Sequence, residues 1–144
     1  MRFLLDTNVL SELVRTAPAP SVVRWVSAAP PLELAISVLT IGELAKGVAL
    51  RTPGRRRDAL HKWFDTELPR QFLGRLLEVD AAVATIWGRL SAEGAKRGRA
   101  LPVIDGLLLA TAAAHGLTLV TRNERDCAGR GVDIVNPWQL FPSS

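Results

Sequence analysis

The sequence predicts an α/β fold, a three-layer α/β/α arrangement around a central, mostly parallel sheet of four to five strands. Short apolar segments, such as residues 2–5 and 117–121, have the length of buried strands. Segments with apolar residues at helical spacing follow them, so strands and helices alternate along the chain. This alternation is typical of a parallel sheet covered by helices on both faces. A length of 144 residues suits a single domain over residues 1–144.

In the first half of the chain, proline and glycine separate segments of strand and helix character. The predicted elements are a strand at 2–5, helices at 7–14 and 21–28, a strand at 33–37, a helix that begins near Val38 or Thr40, and a mixed-charge helix from Arg55. The third helix carries Ile41, Leu44 and Val48 on one face, which predicts a core-facing stripe. Pro69 is expected to end the mixed-charge helix, because proline interrupts helical hydrogen bonding.

The second half of the chain continues the alternation. The predicted elements are a strand at 75–79, a helix at 81–93, a helix from Pro102 to Gly116, a strand at 117–121, a polar turn with Asn123 and Asp126, and a last strand at 132–135. Proline suits the first position of a helix, and glycine commonly terminates one. Asp105 therefore falls in the first turn of its helix.

Composition limits the classes of function. The 18 Lys and Arg against 14 Asp and Glu give a net charge of +4, which favours an anionic partner. Cys127 is the one cysteine, so an internal disulfide is excluded, and the two histidines do not complete a zinc-ligand pattern with it. The apolar opening stops at Asp6, and no later stretch has the length of a signal or membrane-spanning segment. These features predict a soluble, cytoplasmic protein.

Acidic and amide side chains lie where the predicted strands end. Asp6 ends the first strand, Glu43 lies early in the helix after the second, and Asp105 begins a later helix. Asn123 and Asp126 follow another strand. Because ligands in open α/β sheets bind at the carboxyl ends of the strands, these groups are expected to converge on one edge.

Each acid also has a purely structural explanation. Asp6 suits the cap of the following helix, and Asp105 near a helix start gains from the helix dipole. Thr40 and Glu43 have the spacing of a capping box. The combination favours a metal site instead, because clustered carboxylates repel one another unless their pKa values rise or they bind cations. Ligands that are all oxygen suit Mg²⁺ or Mn²⁺.

Such a site suits hydrolysis of a phosphodiester, because a hard cation activates a bound water and offsets charge on the leaving oxygen. Asp6 and Asp105 are the candidate direct ligands. Glu43 is a ligand either directly or through water, and either Asp126 or Asn123 completes a second metal position.

Five short blocks, spread in order over nearly the whole chain, contain these polar residues. The blocks are Leu4–Glu12, Ser37–Gly47, Pro102–Ala112, Leu119–Asp126 and Val135–Trp138. The first four resemble the four blocks of the PIN-domain family, and the last resembles the ending common in its FitB-like members. The chain is thus similar to the VapC- and FitB-like toxins of bacterial type II toxin–antitoxin systems.

The resemblance implies a Mg²⁺- or Mn²⁺-dependent endoribonuclease whose site includes Asp6, Glu43 and Asp105, with Thr7 or Thr121 assisting by hydrogen bonding. It also implies a homodimer or higher assembly. A small antitoxin would silence the enzyme by placing its tail in the active-site groove, and operator DNA would be contacted only through that antitoxin.

The fourth block departs from the family pattern. Asn123 stands where many relatives carry Asp, and Cys127 stands where Phe is common. The choice of fourth ligand between Asn123 and Asp126 therefore stays open.

Three groups of basic residues are candidates for binding RNA phosphates. Arg122 and Arg125 flank the proposed site and are preferred. For residues 55–57 and 96–99, a solvated surface is the favoured interpretation. The four tryptophans have mostly apolar neighbours, which favours the core or subunit contacts over base stacking.

Two alternatives to the nuclease also place acids at strand ends or helix starts: another Mg²⁺-binding fold, either a phosphatase or a receiver domain, and a module without enzymatic activity. A haloacid-dehalogenase-like phosphatase requires a second Asp where this chain has Asn8, and a receiver domain requires a lysine where it has Arg122. The non-enzymatic alternative is a nucleic-acid- or protein-binding module whose acids only cap helices. RNA cleavage that requires Mg²⁺ or Mn²⁺ and stops with EDTA distinguishes the nuclease from that module.

Overall fold

Five short strands form one sheet in the computed structural model, which describes residues 1–139. The strands are β1 (Phe3–Leu5), β2 (Leu34–Ser37), β3 (Leu76–Leu77), β4 (Thr118–Val120) and β5 (Ile134–Val135). Their spatial order is β3-β2-β1-β4-β5, and every pairing is parallel. Leu4 pairs with Ala35 on one side and Leu119 on the other, so β1 lies at the centre. The predicted parallel α/β sheet is confirmed.

Eight α-helices connect these strands within the described residues. They are α1 (Thr7–Leu13), α2 (Pro20–Ala28), α3 (Val38–Leu50), α4 (Arg55–Lys62), α5 (Leu68–Gln71), α6 (Ala81–Lys96), α7 (Val103–His115) and α8 (Glu124–Cys127). A 3₁₀ turn at Pro31–Glu33 precedes β2, and a π-helical segment at Trp63–Glu67 joins α4 to α5. Over residues 1–139, none of the helices combines the length and the apolar character that crossing a bilayer requires.

The sheet separates two hydrophobic cores, because successive side chains of a strand point to opposite faces. Leu5, Ile36 and Val120 face a core that α1, α2, α3 and α5 complete. Their neighbours Leu4 and Leu119 face the other core, which α7 and α8 complete. All five of these side chains are 0–1% exposed. Burial on both faces explains why the strands are continuous apolar runs rather than alternating ones.

The expectation that Pro69 ends the mixed-charge helix is wrong. The chain stays helical through the π-helical segment and α5, and Pro69 lies in the first turn of α5. Proline has no N–H to donate, and the π-helical segment just before it changes the hydrogen-bond pattern of the helix at this point. The predicted polar turn around Asn123 is also more regular than expected, since it contains the short helix α8.

The carboxyl ends of the three central strands meet at one edge of the sheet. Asp6 follows β1, Ser37 ends β2 at the start of α3, and Thr121 follows β4. The backbone N–H of Asp6 donates to the carbonyl of Val120 at 2.9 Å, which holds the ends of β1 and β4 together. This edge therefore gathers the polar residues singled out from the sequence.

Candidate active site

Asp6 lies between β1 and α1 and is 6% exposed. Its Oδ1 accepts a hydrogen bond from the backbone N–H of Thr7 at 2.6 Å, and its Oδ2 accepts one from the hydroxyl of Thr121 at 2.7 Å. Burial raises the pKa of Asp6 to about 6, opposed by these two hydrogen bonds and reinforced by the charges of Asp105 and Glu43. Asp6 thus caps α1 and also brings a carboxyl group with an elevated pKa to the edge of the sheet.

Glu43 lies in the second turn of α3 and points to α1. Its Oε1 accepts a hydrogen bond from the hydroxyl of Thr7 at 2.5 Å. The cap of α3 is Ser37, whose Oγ accepts from the backbone N–H of Leu39 at 3.0 Å. Thr40 lies inside the helix and is fully buried. The capping-box explanation for Glu43 is therefore wrong, because Glu43 bonds to Thr7 and not to the cap of its own helix.

Asp105 occupies the first turn of α7, as predicted, and is partly buried. Its Oδ2 accepts a hydrogen bond from Nδ2 of Asn123 at 3.0 Å. Burial raises the pKa of Asp105, and the charges of Asp126 and Glu43 act in the same direction. The Asn123 hydrogen bond and Arg130 oppose this rise. Asp105 therefore belongs to the same electrostatic cluster as Asp6 and Glu43.

Asn123 connects Asp105 to Asp126. Its Nδ2 also donates to Oδ2 of Asp126 at 3.0 Å, and its Oδ1 accepts from the backbone N–H of Asp126 at 3.4 Å. The amide nitrogen thus lies between two carboxylates, while the amide oxygen caps α8. Both ends of the Asn123 side chain are occupied by protein partners.

These side chains line an open cleft of about 590 Å³. Asp6, Glu43, Asp105 and Asn123 contribute to its wall, whereas Asp126, which accepts a hydrogen bond from Asn123, is not part of the lining. Asn8, at the position where a haloacid-dehalogenase-like phosphatase has its second Asp, donates its amide to Oδ2 of Asp6 at 3.4 Å. The structure thus brings Asp6, Glu43 and Asp105 together in one cleft. At position 8 it places an amide, where the phosphatase requires an acid.

The donor set fits a divalent ion that retains bound water. Among residues 1–139, no three His, Cys, Asp or Glu side chains form a group that could hold an ion by themselves. Mg²⁺ is usually bound through one or two carboxylates and keeps several waters. The carboxylates of Asp6 and Asp105, which interact electrostatically and are both harder to ionise than usual, suit that mode of binding.

The two preferred arginines occupy different positions. Arg122 lines the cleft, with its guanidinium 5.2 Å from the ring centre of Trp138, which lines the cleft too. Arg125 is not part of this lining, and its backbone carbonyl accepts a hydrogen bond from Arg99 at 2.6 Å. Trp138 also packs against the first core, so it combines the expected core role with a place in the cleft.

Sequence reasoning missed Arg15 and Arg51, which also line the cleft. Neither arginine lies within a helix: Arg15 comes two residues after the end of α1, and Arg51 is the first residue after α3, with an extended backbone. Helical periodicity therefore does not predict their place in the cleft.

Comparison with known proteins adds three findings. Residues 3–128 match the model of the PIN domain. The chain is 35% identical to Toxin FitB of Neisseria gonorrhoeae and 34% identical to VapC ribonuclease Y4jK of Sinorhizobium fredii, in each case over 94% of this chain and 97% of the relative. A solved structure of FitAB bound to a DNA fragment contains a chain with a TM-score of 0.92 and 32% identity, over 99% of both chains. The chain therefore belongs to the PIN domain family.

Proposed function

We propose that this chain is a Mg²⁺- or Mn²⁺-dependent endoribonuclease and the toxin of a type II toxin–antitoxin pair. The observation that supports this most is the meeting of Asp6, Glu43 and Asp105 in one cleft, where the pKa values of Asp6 and Asp105 are raised. Raised carboxylate pKa values at a shared site are expected where charges are held for a cation. The relatives named as a toxin and as a VapC ribonuclease support RNA as the substrate.

Asp6 and Asp105 are proposed as direct metal ligands, and Glu43 as a ligand directly or through water. When bound, the divalent ion lowers the pKa of a water and offsets charge on the leaving oxygen. Thr121 holds Asp6 in place, and Thr7 does the same for Glu43. The two hydroxyl donors keep the carboxylates oriented without bringing a competing positive charge into the cleft.

Asp126 is proposed as the fourth acidic residue, in preference to Asn123. Because both ends of the Asn123 amide already have protein partners, Asn123 acts best as a bridge that keeps Asp126 next to Asp105.

Arg122 is proposed to bind a backbone phosphate of the RNA at the rim of the cleft, and Arg125 to contribute from outside it. Each phosphate contact releases counterions, so affinity for RNA falls as salt rises. Arg122→Ala is expected to weaken binding and to make it less dependent on salt, and unchanged binding would contradict this role.

The proposed partner is a small antitoxin, whose tail occupies the active-site groove and through which operator DNA is contacted. The sequence resemblance supports this arrangement, as does the structure of FitAB bound to a DNA fragment. Homodimer formation, implied by the same resemblance, is proposed with it.

The test is cleavage of RNA by the purified chain. We expect cleavage with Mg²⁺ or Mn²⁺, none with EDTA, and none for Asp6→Asn or Asp105→Asn, both of which keep the circular dichroism spectrum of the folded protein. A folded Asp6→Asn protein that still cuts RNA would overturn the assignment of the site. An inactive wild-type chain with both metals, in the absence of any partner, would overturn the activity.

A further inference from the structure

The acidic cleft continues into a second, smaller one of about 140 Å³. Four residues line both: Ser11, Arg15, Glu43 and Arg51. The second cleft runs from these shared residues to Leu60 and Trp63, at the junction of α4 and the π-helical segment. The two clefts are therefore one groove, with Asp6 and Asp105 at one end, Glu43 where the clefts meet, and Trp63 at the other end.

Three arginines give the second part of this groove a positive charge. Arg15 forms an ion pair with Glu12 at 3.2 Å, and Arg56 donates a hydrogen bond to the carbonyl of Val14. Arg51 is exposed, and within residues 1–139 its guanidinium has no ion pair or hydrogen bond. An unpaired guanidinium next to a cluster of carboxylates is available to an anionic ligand that reaches from one part of the groove to the other.

The rest of the second cleft is apolar. Leu44, Val48 and Leu60 contribute to its lining and are buried, whereas Trp63 is partly exposed. A ligand that suits this part must combine negative charge with a flat apolar surface. A nucleotide has both, since its phosphate pairs with guanidinium groups and its base stacks on an aromatic ring.

We propose that Arg51 and Trp63 form a nucleotide subsite for single-stranded RNA, in which Arg51 binds a backbone phosphate and Trp63 stacks on a base. This subsite rests on the proposed ribonuclease function and specifies the form of its substrate. Arg51 and Arg122 both line the cleft that holds the acids, so each is placed to bind a phosphate of the strand that is cut. The second cleft, of about 140 Å³, suits an unpaired base, whereas duplex RNA is bound through its backbone and shallow groove.

The test measures binding separately from cleavage. Fluorescence anisotropy of a short labelled single-stranded RNA in EDTA reports affinity without cutting. Arg51→Ala is expected to lower affinity and to reduce the slope of log affinity against log salt by about 0.7, the value for one phosphate contact on a single strand. The exposed Arg89, which lies on α6 outside both clefts, provides the matched control, and Arg89→Ala leaves affinity unchanged.

Substitution of the tryptophan tests stacking. Trp63→Leu is expected to weaken binding about 5- to 100-fold, and Trp63→Phe to retain most of the affinity because it keeps a ring. Trp25 is the matched control, since it also packs against the first core but lines neither cleft, and Trp25→Leu should bind RNA as the wild type does. Thermal unfolding of each variant establishes that it is folded.

The outcomes separate this subsite from the proposed function. Wild-type protein that cuts RNA, together with Arg51→Ala and Trp63→Leu variants that bind as tightly as wild type, would overturn the subsite alone. Wild-type protein that binds RNA through these two residues but never cuts it would overturn the activity alone. The subsite would also be overturned if Arg51→Ala and Trp63→Leu lost affinity equally for duplex and single-stranded RNA. The same holds if these variants bound RNA normally and lost only their affinity for an acidic protein partner.

Discussion

The hydroxyl of Thr7 donates a hydrogen bond of 2.5 Å to Oε1 of Glu43 and so joins α1 to α3 across the active-site cleft. The same hydroxyl lies 3.2 Å from that of Thr40, which is fully buried. Glu43 is therefore held by a neutral donor at one oxygen. A hydrogen bond to a charged group stabilises by roughly 1.5–3 kcal/mol, enough to select one orientation of a flexible side chain.

Removing the Thr7 hydroxyl is expected to slow RNA cleavage while the protein stays folded. Thr7→Val keeps the shape of the side chain but leaves Glu43 without its partner, and we expect kcat to fall about 10- to 100-fold, in line with the energy of such a bond. Thr7→Ser retains the hydroxyl and should stay within a few-fold of wild type. Single-turnover kinetics with Mn²⁺ measure the effect. Equal loss in the Val and Ser variants would show that the methyl group matters instead.

Asp6 makes the metal-free protein less stable as pH rises. The pKa of Asp6 is about 6 in the folded protein against an ordinary 3.8, so the folded state binds the proton more tightly than the unfolded state. The stabilisation is complete below 3.8 and is lost as pH rises through about 6. The shift in the pKa of Asp6 corresponds to roughly 3 kcal/mol of the free energy of unfolding.

Asp6→Asn, which never ionises, is therefore expected to become more stable than wild type at neutral pH in EDTA and to lose this advantage near pH 4. Urea unfolding at a series of pH values gives the difference. Added Mn²⁺ should reverse the order by stabilising only the wild type. Asp133→Asn, a change at an exposed acid, is the control. Parallel pH profiles for wild type and Asp6→Asn would contradict the elevated pKa.

The meeting of Asp6, Glu43 and Asp105 was predictable because each follows a strand or starts a helix, and topology brings those ends together. The role of Asn123 was not. Its bond to Asp105 joins residues 18 apart in the chain, and it depends on how α8 packs against α7. Local patterns give the position of an element but not the direction in which an amide points across two elements.

Two arginines, Arg99 and Arg130, hold the backbone of the segment that carries Asn123 and Asp126, and together they form a clamp. Arg99 donates to the carbonyls of Arg125 and Ala128, both at 2.6 Å. Arg130 donates through Nε to the carbonyl of Asp126 at 2.9 Å and through Nη1 to the carbonyl of Arg99 at 3.1 Å. The backbone of α8 and of its C-cap, Ala128, is thus held by charged donors.

Loss of this clamp is expected to loosen α8 and to weaken metal binding. Arg130→Met removes the hydrogen-bond donors of the side chain but keeps much of its length. Hydrogen exchange at residues 124–130 should therefore accelerate. Affinity for Mn²⁺ should fall about 10-fold or more, as is usual when a group that supports a metal ligand is lost. Arg125→Ala is the control, because the clamp binds only the backbone of that residue. Unchanged exchange in Arg130→Met would show that packing alone holds the segment.

Gly94 is the point on α6 where this clamp touches a helix, and it leaves no room for a side chain. A Cβ at this position would lie 2.6 Å from the carbonyl oxygen of Arg99 and 2.9 Å from Nη1 of Arg130. The carbonyl cannot move away cheaply, because the N–H of Arg99 is bonded to the carbonyl of Gly94 at 2.8 Å. Gly94→Ala is therefore expected to destabilise the protein by about 1–3 kcal/mol, the usual cost of overpacking.

Gly88, on the same helix, provides the opposite case. A Cβ there would meet nothing within 4 Å, so Gly88→Ala should stabilise the protein by about 0.5–1 kcal/mol through the better helix propensity of alanine. Urea unfolding of the two variants measures the contrast. Gly94→Ala should also accelerate exchange at residues 124–130, as Arg130→Met does, because the clash displaces the clamp. If Gly94→Ala were as stable as Gly88→Ala, helix propensity alone would decide both positions and the close approach of Arg99 would be of no consequence.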